Sequence, residues 1–162
     1  MKDLLDKISS YNLFNYLLPG ILFAVALEKF TSYRLLQDNL VLGVFVYYFV
    51  GLAISRIGSL VVEPVLKNIS FLKFADYPKF VAATKFDQKI ELLSETNNMY
   101  RTLVAMLVVL IVAKAFELFS LRLPVLDSYR SYILITTLLI MFLFSYRKQT
   151  VYIKKRVDST KT

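Results

Sequence analysis

Four long stretches without a single charge constrain this chain more than anything else in it. They run from Ile8 to Leu27, Asn39 to Ser55, Thr102 to Ala113 and Ser131 to Tyr146, with charged residues gathered between them. A hydrocarbon core of about 30 Å needs about 20 mainly apolar residues to cross it as a helix. Every backbone polar group must be satisfied inside that layer, which favours helices over open sheets. The pattern predicts an all-α membrane protein with four transmembrane helices, at about residues 13–30, 40–62, 102–120 and 131–146. A soluble bundle would need a polar face on each helix, and runs this continuous leave almost none.

The basic residues give the expected orientation. Net charge is +8, from 20 Lys and Arg against 12 Asp and Glu. Fourteen of the 20 cations fall in the two tails and the central connection, and four in the two outer connections. Positive charge accumulates on the cytoplasmic side, so both termini and the central connection are expected in the cytoplasm. Asp3 and Asp6 beside Lys2 and Lys7 argue against a cleaved signal peptide, and Ile8–Leu27 is read as a retained first helix. Residues 1–10 place Leu4, Leu5 and Ile8 at helical spacing, as an amphipathic lead-in would. Tyr11, Tyr16, Tyr33, Tyr100, Tyr129, Tyr132 and Tyr146 fall near the proposed span ends, where an interfacial belt would sit.

Several chemistries lose their usual carriers. The chain has no cysteine and no histidine, hence no thiol nucleophile, imidazole base or imidazole metal ligand. No phosphate-cradling glycine loop or nucleophile elbow is present. The chain is read as non-enzymatic, without a cofactor or metal. Its basic character is explained by the flanks of the spans rather than by nucleic acid, for which no motif is present; the Lys148–Lys155 region is suited to attract anionic lipid.

The polar residues inside the runs are the candidate sites. Asn12, Asn15 and Pro19 are spaced i, i+3, i+7 on one helical face, with Gly20 beside them. Asn can bond between helices in a bilayer. Pro19 frees a carbonyl about a turn back, expected near Asn15. This face is read as a packing seam. Gly51, Ser55 and Ser59, spaced by four, form a ridge for close helix contact. Arg56 lies inside the second span; it either serves assembly or function, with Asn12 or Asn15 as candidate partners, or snorkels to the headgroups. Lys114 and Glu117 are read as a local ion pair.

Residues 64–101 are the only substantial region outside the spans, and they are rich in apolar residues. Asp76 and Asp87 are expected to cap helices. From Asp87 no Pro or Gly interrupts the chain down to Phe119, which predicts one helix running from this region into the third span. Phe74, Tyr77, Phe80 and Phe86 are candidate contacts for a cytosolic protein. Asp87, Glu91 and Glu95, at i, i+4, i+8, form a solvated face or partner surface.

The segments "YNLFNYLLPGILF", "GLAISRIGSLVVEP", "FADY" and "LSETNNMYRTL" resemble a group of small four-pass bacterial inner-membrane proteins. These look like membrane components of phage-defence loci, and the layout is similar to the membrane subunit of the Kiwa system. The resemblance covers about residues 8–115 and carries no functional residue over. It implies a bacterial inner-membrane location. The expected protein is a homo-oligomeric scaffold or sensor in the lipid bilayer that binds a cytosolic partner through 64–101. A pore-forming effector and a small-solute transporter are the alternatives.

Overall fold

A computed structural model describes residues 12–160; the lead-in of residues 1–10 and Tyr11 lie outside them. The described chain forms helices α1 (Leu13–Phe30), α2 (Leu40–Asn68), α3 (Tyr77–Phe86), α4 (Lys89–Arg122), α5 (Pro124–Ser128) and α6 (Arg130–Thr160). There is no strand among the described residues. Helices α1, α2, α4 and α6 are long and apolar enough to cross a membrane.

α1, α2 and α4 pack against one another, while α6 leans chiefly on α2. Phe23, Leu27, Ile54, Val62, Ala105 and Met106 fill the space between the first three. The four long helices alternate in direction. The 31–39 loop and α5 therefore share one end of the bundle. The start of α1 and the ends of α2 and α6 share the other, with the α3–α4 hairpin.

Local chemistry explains most of the helix limits. The Asn39 side chain caps α2 by accepting the Leu42 amide at 3.1 Å, as an N-cap should. At its far end the Phe71 amide reaches back to the Leu66 carbonyl (3.0 Å) and the Ser70 amide to that of Lys67 (2.9 Å). This double closure puts Ser70 in the left-handed region, at φ 60°, where glycine is the usual occupant.

Asp76 holds the N-cap position of α3, but its side chain does not cap. Pro78 removes one of the amides that a cap would serve, and the exposed carboxylate turns to Lys79, at 3.4 Å. Asp87 does help to start α4, since its Oδ1 accepts the Lys89 amide at 2.9 Å. It lies ahead of the helix in extended backbone, so it does not share a helical face with Glu91 and Glu95. From Lys89 the 34 residues of α4 are unbroken, about 51 Å at 1.5 Å per residue. α6 continues through Thr160, so the basic segment after Tyr146 is helical.

The 31–39 loop is held by two carboxylates. Glu28 accepts the Leu35 and Leu36 amides (3.1 and 2.9 Å). Glu117 accepts the Ser32 amide and pairs with Lys114, both at 2.6 Å. Burial and the nearby Glu117 and Asp127 carboxylates push the Tyr33 phenol above its ordinary range.

Candidate functional site

Pro19 of α1 and Pro64 of α2 each follow a turn of π-helix. In α1 the π-turn spans Leu13–Leu17, and the Leu18 amide bonds the Leu13 carbonyl five residues back. In α2 it spans Gly58–Val62, and the Glu63 amide bonds the Gly58 carbonyl. Such turns often mark functional positions inside long helices. Their bookkeeping here is specific. The Ser59 carbonyl would take its helical bond from Glu63, whose amide is committed to Gly58, or from Pro64, which has none. Lys148 of α6 donates to that carbonyl instead, at 2.6 Å, and also to the Ser59 hydroxyl, at 2.7 Å. The same arithmetic in α1 denies the Phe14 carbonyl both its donors, because Leu18 is committed to Leu13 and Pro19 has no amide hydrogen.

α1 and α2 cross with their backbones in contact. A Cβ on Gly20 would overlap the Tyr47 carbonyl, and one on Gly51 would overlap the carbonyl of Tyr16. Only glycine at both positions permits this approach. It brings α1 near enough for short polar side chains to bridge the helices.

Those side chains are Asn15, Ser55 and Thr102, from three different helices. Asn15 is 1% exposed, and Ser55 and Thr102 are fully buried. The Thr102 hydroxyl lies 2.9 Å from Asn15 Oδ1, 3.2 Å from the Ser55 hydroxyl and 2.9 Å from the Asn98 carbonyl. A hydroxyl donates one proton and has two lone pairs. Thr102 therefore serves either Asn15 or its own helix at Asn98, while Ser55 can donate to it.

Charged groups lie around this cluster. Arg56 Nη2 donates to the Tyr16 hydroxyl at 3.2 Å. Glu63 bridges Arg101 of α4 (2.7 Å) and Lys67 (3.1 Å). A carboxylate shared by two cations on adjacent helices resists separation, because breaking the pair strands a charge in a poorly hydrated place.

Several expected sites come together and others do not. Asn15, Pro19 and Gly20 are buried in the α1 seam, whereas Asn12 sits half-buried at its edge. The Gly51, Ser55 and Ser59 ridge is divided: Gly51 meets α1, Ser55 meets α4 and Ser59 meets α6. Arg56 finds Tyr16 rather than the asparagines. Tyr16 is a core residue, packed edge-on against Tyr48 with ring centres 5.5 Å apart, and not part of an outer belt. Thr102, Glu63 and Arg101 complete the cluster although none of them stood among the candidate sites, and Lys148, expected only within a basic region for anionic lipid, joins it. For Thr102 the available signal was a lone hydroxyl opening an apolar run.

Outside the bundle the candidates also divide. Phe74 lies under the Lys67 ammonium, 4.0 Å from its ring centre. Tyr77 packs beside Tyr152 of α6, ring centres 6.4 Å apart, and Phe80 is half-buried. Phe86 is 91% exposed, and Leu92 and Leu93 on the first turns of α4 are exposed with it. Glu91 is exposed and Glu95 half-buried on the same helix.

No protein-family model, curated protein or solved structure matches the chain.

Proposed function

We propose that this protein is an oligomeric inner-membrane scaffold or sensor that binds a cytosolic protein through its α3–α4 hairpin. The observation that carries the reading is the exposed trio Phe86, Leu92 and Leu93. Large apolar side chains in water are unfavourable, and their exposure at these three positions of the hairpin supports a docking surface there. Phe86 closes α3, and Leu92 and Leu93 belong to α4, which does not end at the membrane. Leu92 and Leu93 sit on the helix that carries Arg101 and Thr102 into the bundle. A partner on the trio therefore loads the helix whose buried hydroxyl bridges α1 and α2.

The distribution of Lys and Arg supports a cytoplasmic hairpin and cytoplasmic termini. The broad exposed faces of α4 and α6 leave room for lipid and for further copies of the chain. Resemblance to membrane components of phage-defence loci adds an antiviral setting. Phe23, Leu27, Ile54 and Met106 pack as an apolar plug beyond the polar cluster, which favours this reading over a pore or a small-solute transporter.

The absence of native cysteine makes one experiment test side and partner together. Phe86→Cys introduces a single thiol at the most exposed point of the trio. It should react with a membrane-impermeant maleimide in inverted vesicles and not in intact cells. Adding the cytosol of the host bacterium to washed vesicles should slow the reaction. Reaction in intact cells would refute the orientation. An unchanged rate with cytosol present would remove the partner.

A further inference from the structure

The cleft between α2 and α6 has no part in the reading above, and its chemistry is unbalanced. It is a cavity of about 30 Å³ lined by Arg56, Ser59, Ser145, Lys148 and Tyr152 among others. Arg56 Nε and Ser145 Oγ are buried polar atoms without a hydrogen-bond partner among the described residues. Most buried polar groups are paired, so two orphans near one cleft call for a missing group. The local charge has the same defect. Glu63 is engaged by Arg101 and Lys67. Among the described residues, Arg56 and Lys148 have no carboxylate at ion-pair distance. Lys148 donates only to the neutral carbonyl and hydroxyl of Ser59.

The depth of the cleft narrows what can fill it. Arg56 lies 16 residues along α2 from Leu40, and Lys148 18 residues along α6 from Arg130. At 1.5 Å per residue these are about 24 and 27 Å from the opposite end of the bundle. A hydrocarbon core is about 30 Å thick, so both backbone positions lie just short of its far face, and long cationic side chains there extend to the headgroup level. Basic pockets between membrane helices at that level are suited to lipid phosphates.

We propose that Arg56, Ser145 and Lys148 bind a phosphate group at the mouth of this cleft, and that the phosphate clamps α6 to α2. The ammonium supplies a proton not used on Ser59 and the guanidinium its terminal N–H groups beyond the one on Tyr16, while the enclosed Nε–H and serine hydroxyl reach the phosphate through a water, for which the cavity has room. The clamp matters because α6 leans chiefly on α2. The depth favours an anionic phospholipid over free phosphate as the source.

The test is thermal unfolding and native mass spectrometry of the full chain, purified in a neutral detergent. The probes are phosphatidylglycerol, phosphatidylcholine and inorganic phosphate. Phosphatidylglycerol should raise the melting temperature and remain bound in the mass spectrum, and phosphatidylcholine should do neither. Stabilisation by inorganic phosphate alone would uphold the site and make the ligand a soluble phosphate. Arg56→Gln with Lys148→Gln should weaken the lipid response about tenfold or more. Lys154→Gln with Lys155→Gln, on the exposed part of the same helix, should leave it intact. Lys148→Gln also strips the Ser59 carbonyl of its donor, so a second variant guards against simple misfolding. Ser145→Asp places a carboxylate between the cations. It should preserve or raise the lipid-free melting temperature while abolishing the response to lipid. An undiminished response in both cleft variants, or an equal loss in the Lys154 and Lys155 variant, would overturn the proposal.

Discussion

α1 and α6 are both long enough and apolar enough to cross a membrane, yet they stand in opposite relations to the protein. Of the most apolar 18 residues of α1, 39% are buried inside the bundle, against 11% for α6. The helix with an asparagine, a proline and a glycine is the more buried one. In water the reverse would be expected, since burial there follows hydrophobicity. In a bilayer the lipid tails are as apolar as leucine, so an apolar side chain gains little by turning inward. An amide or an exposed backbone carbonyl gains a great deal, because no lipid tail can satisfy it. Polar and small residues thus identify the protein-facing helix, and uniform apolarity identifies the one that faces outward.

Substitutions at the closest crossing should separate the two helices most sharply. Gly51→Leu forces a side chain into the Tyr16 carbonyl, and overpacking of this kind should cost about 3 kcal/mol. Unfolding in detergent measures it. A variant as stable as the parent would mean that α1 is not seated on α2, and the contrast would fail. Asn15→Leu should cost less, about 0.6–2 kcal/mol. Thr102 keeps Ser55 and the Asn98 carbonyl after the amide is gone, so only the link to α1 is lost. Unchanged stability with lost activity would turn this seam from packing to function. Leu139→Ala on the exposed face of α6 should change stability by less than about 0.5 kcal/mol, as exposed positions usually do. A loss several times larger, with a lower oligomer mass, would show that this face meets another copy of the chain rather than lipid.

The helices were legible because continuous apolar runs admit few structures, and the long helix from the hairpin into the bundle followed from an absence of Pro and Gly. The seam at Asn15 was legible for a related reason: an amide in an apolar run needs a partner. Its partner Thr102 was not, since a threonine can satisfy its hydroxyl on its own helix by bonding four residues back. Tyr16 was misplaced because proximity to a span end does not say which way a side chain points. Lys148 was legible only as part of a basic region suited to anionic lipid, not as a donor to α2. Its role depends on the Ser59 carbonyl, which depends in turn on a π-turn ahead of Pro64, and that chain of causes spans three parts of the sequence. Arg56 was recognisable as unusual, but its neighbours come from α1 and α6, which spacing along α2 cannot reveal.

The π-turn at Gly58–Val62 also bears on how such a chain can vary. A π-turn is one residue more than an α-helix needs, so it works as an offset between two stretches of α2. Before it, Gly51 and Ser55 are in register with α1 and α4; after it, Glu63 is in register with Arg101. Deleting one residue there would restore ordinary helix and rotate everything beyond it by about 100°, carrying Glu63 away from its cation. Small insertions and deletions are commonly harmless in surface loops. Here the length-sensitive position lies in the middle of a helix, and the tolerant positions are the connections on either side.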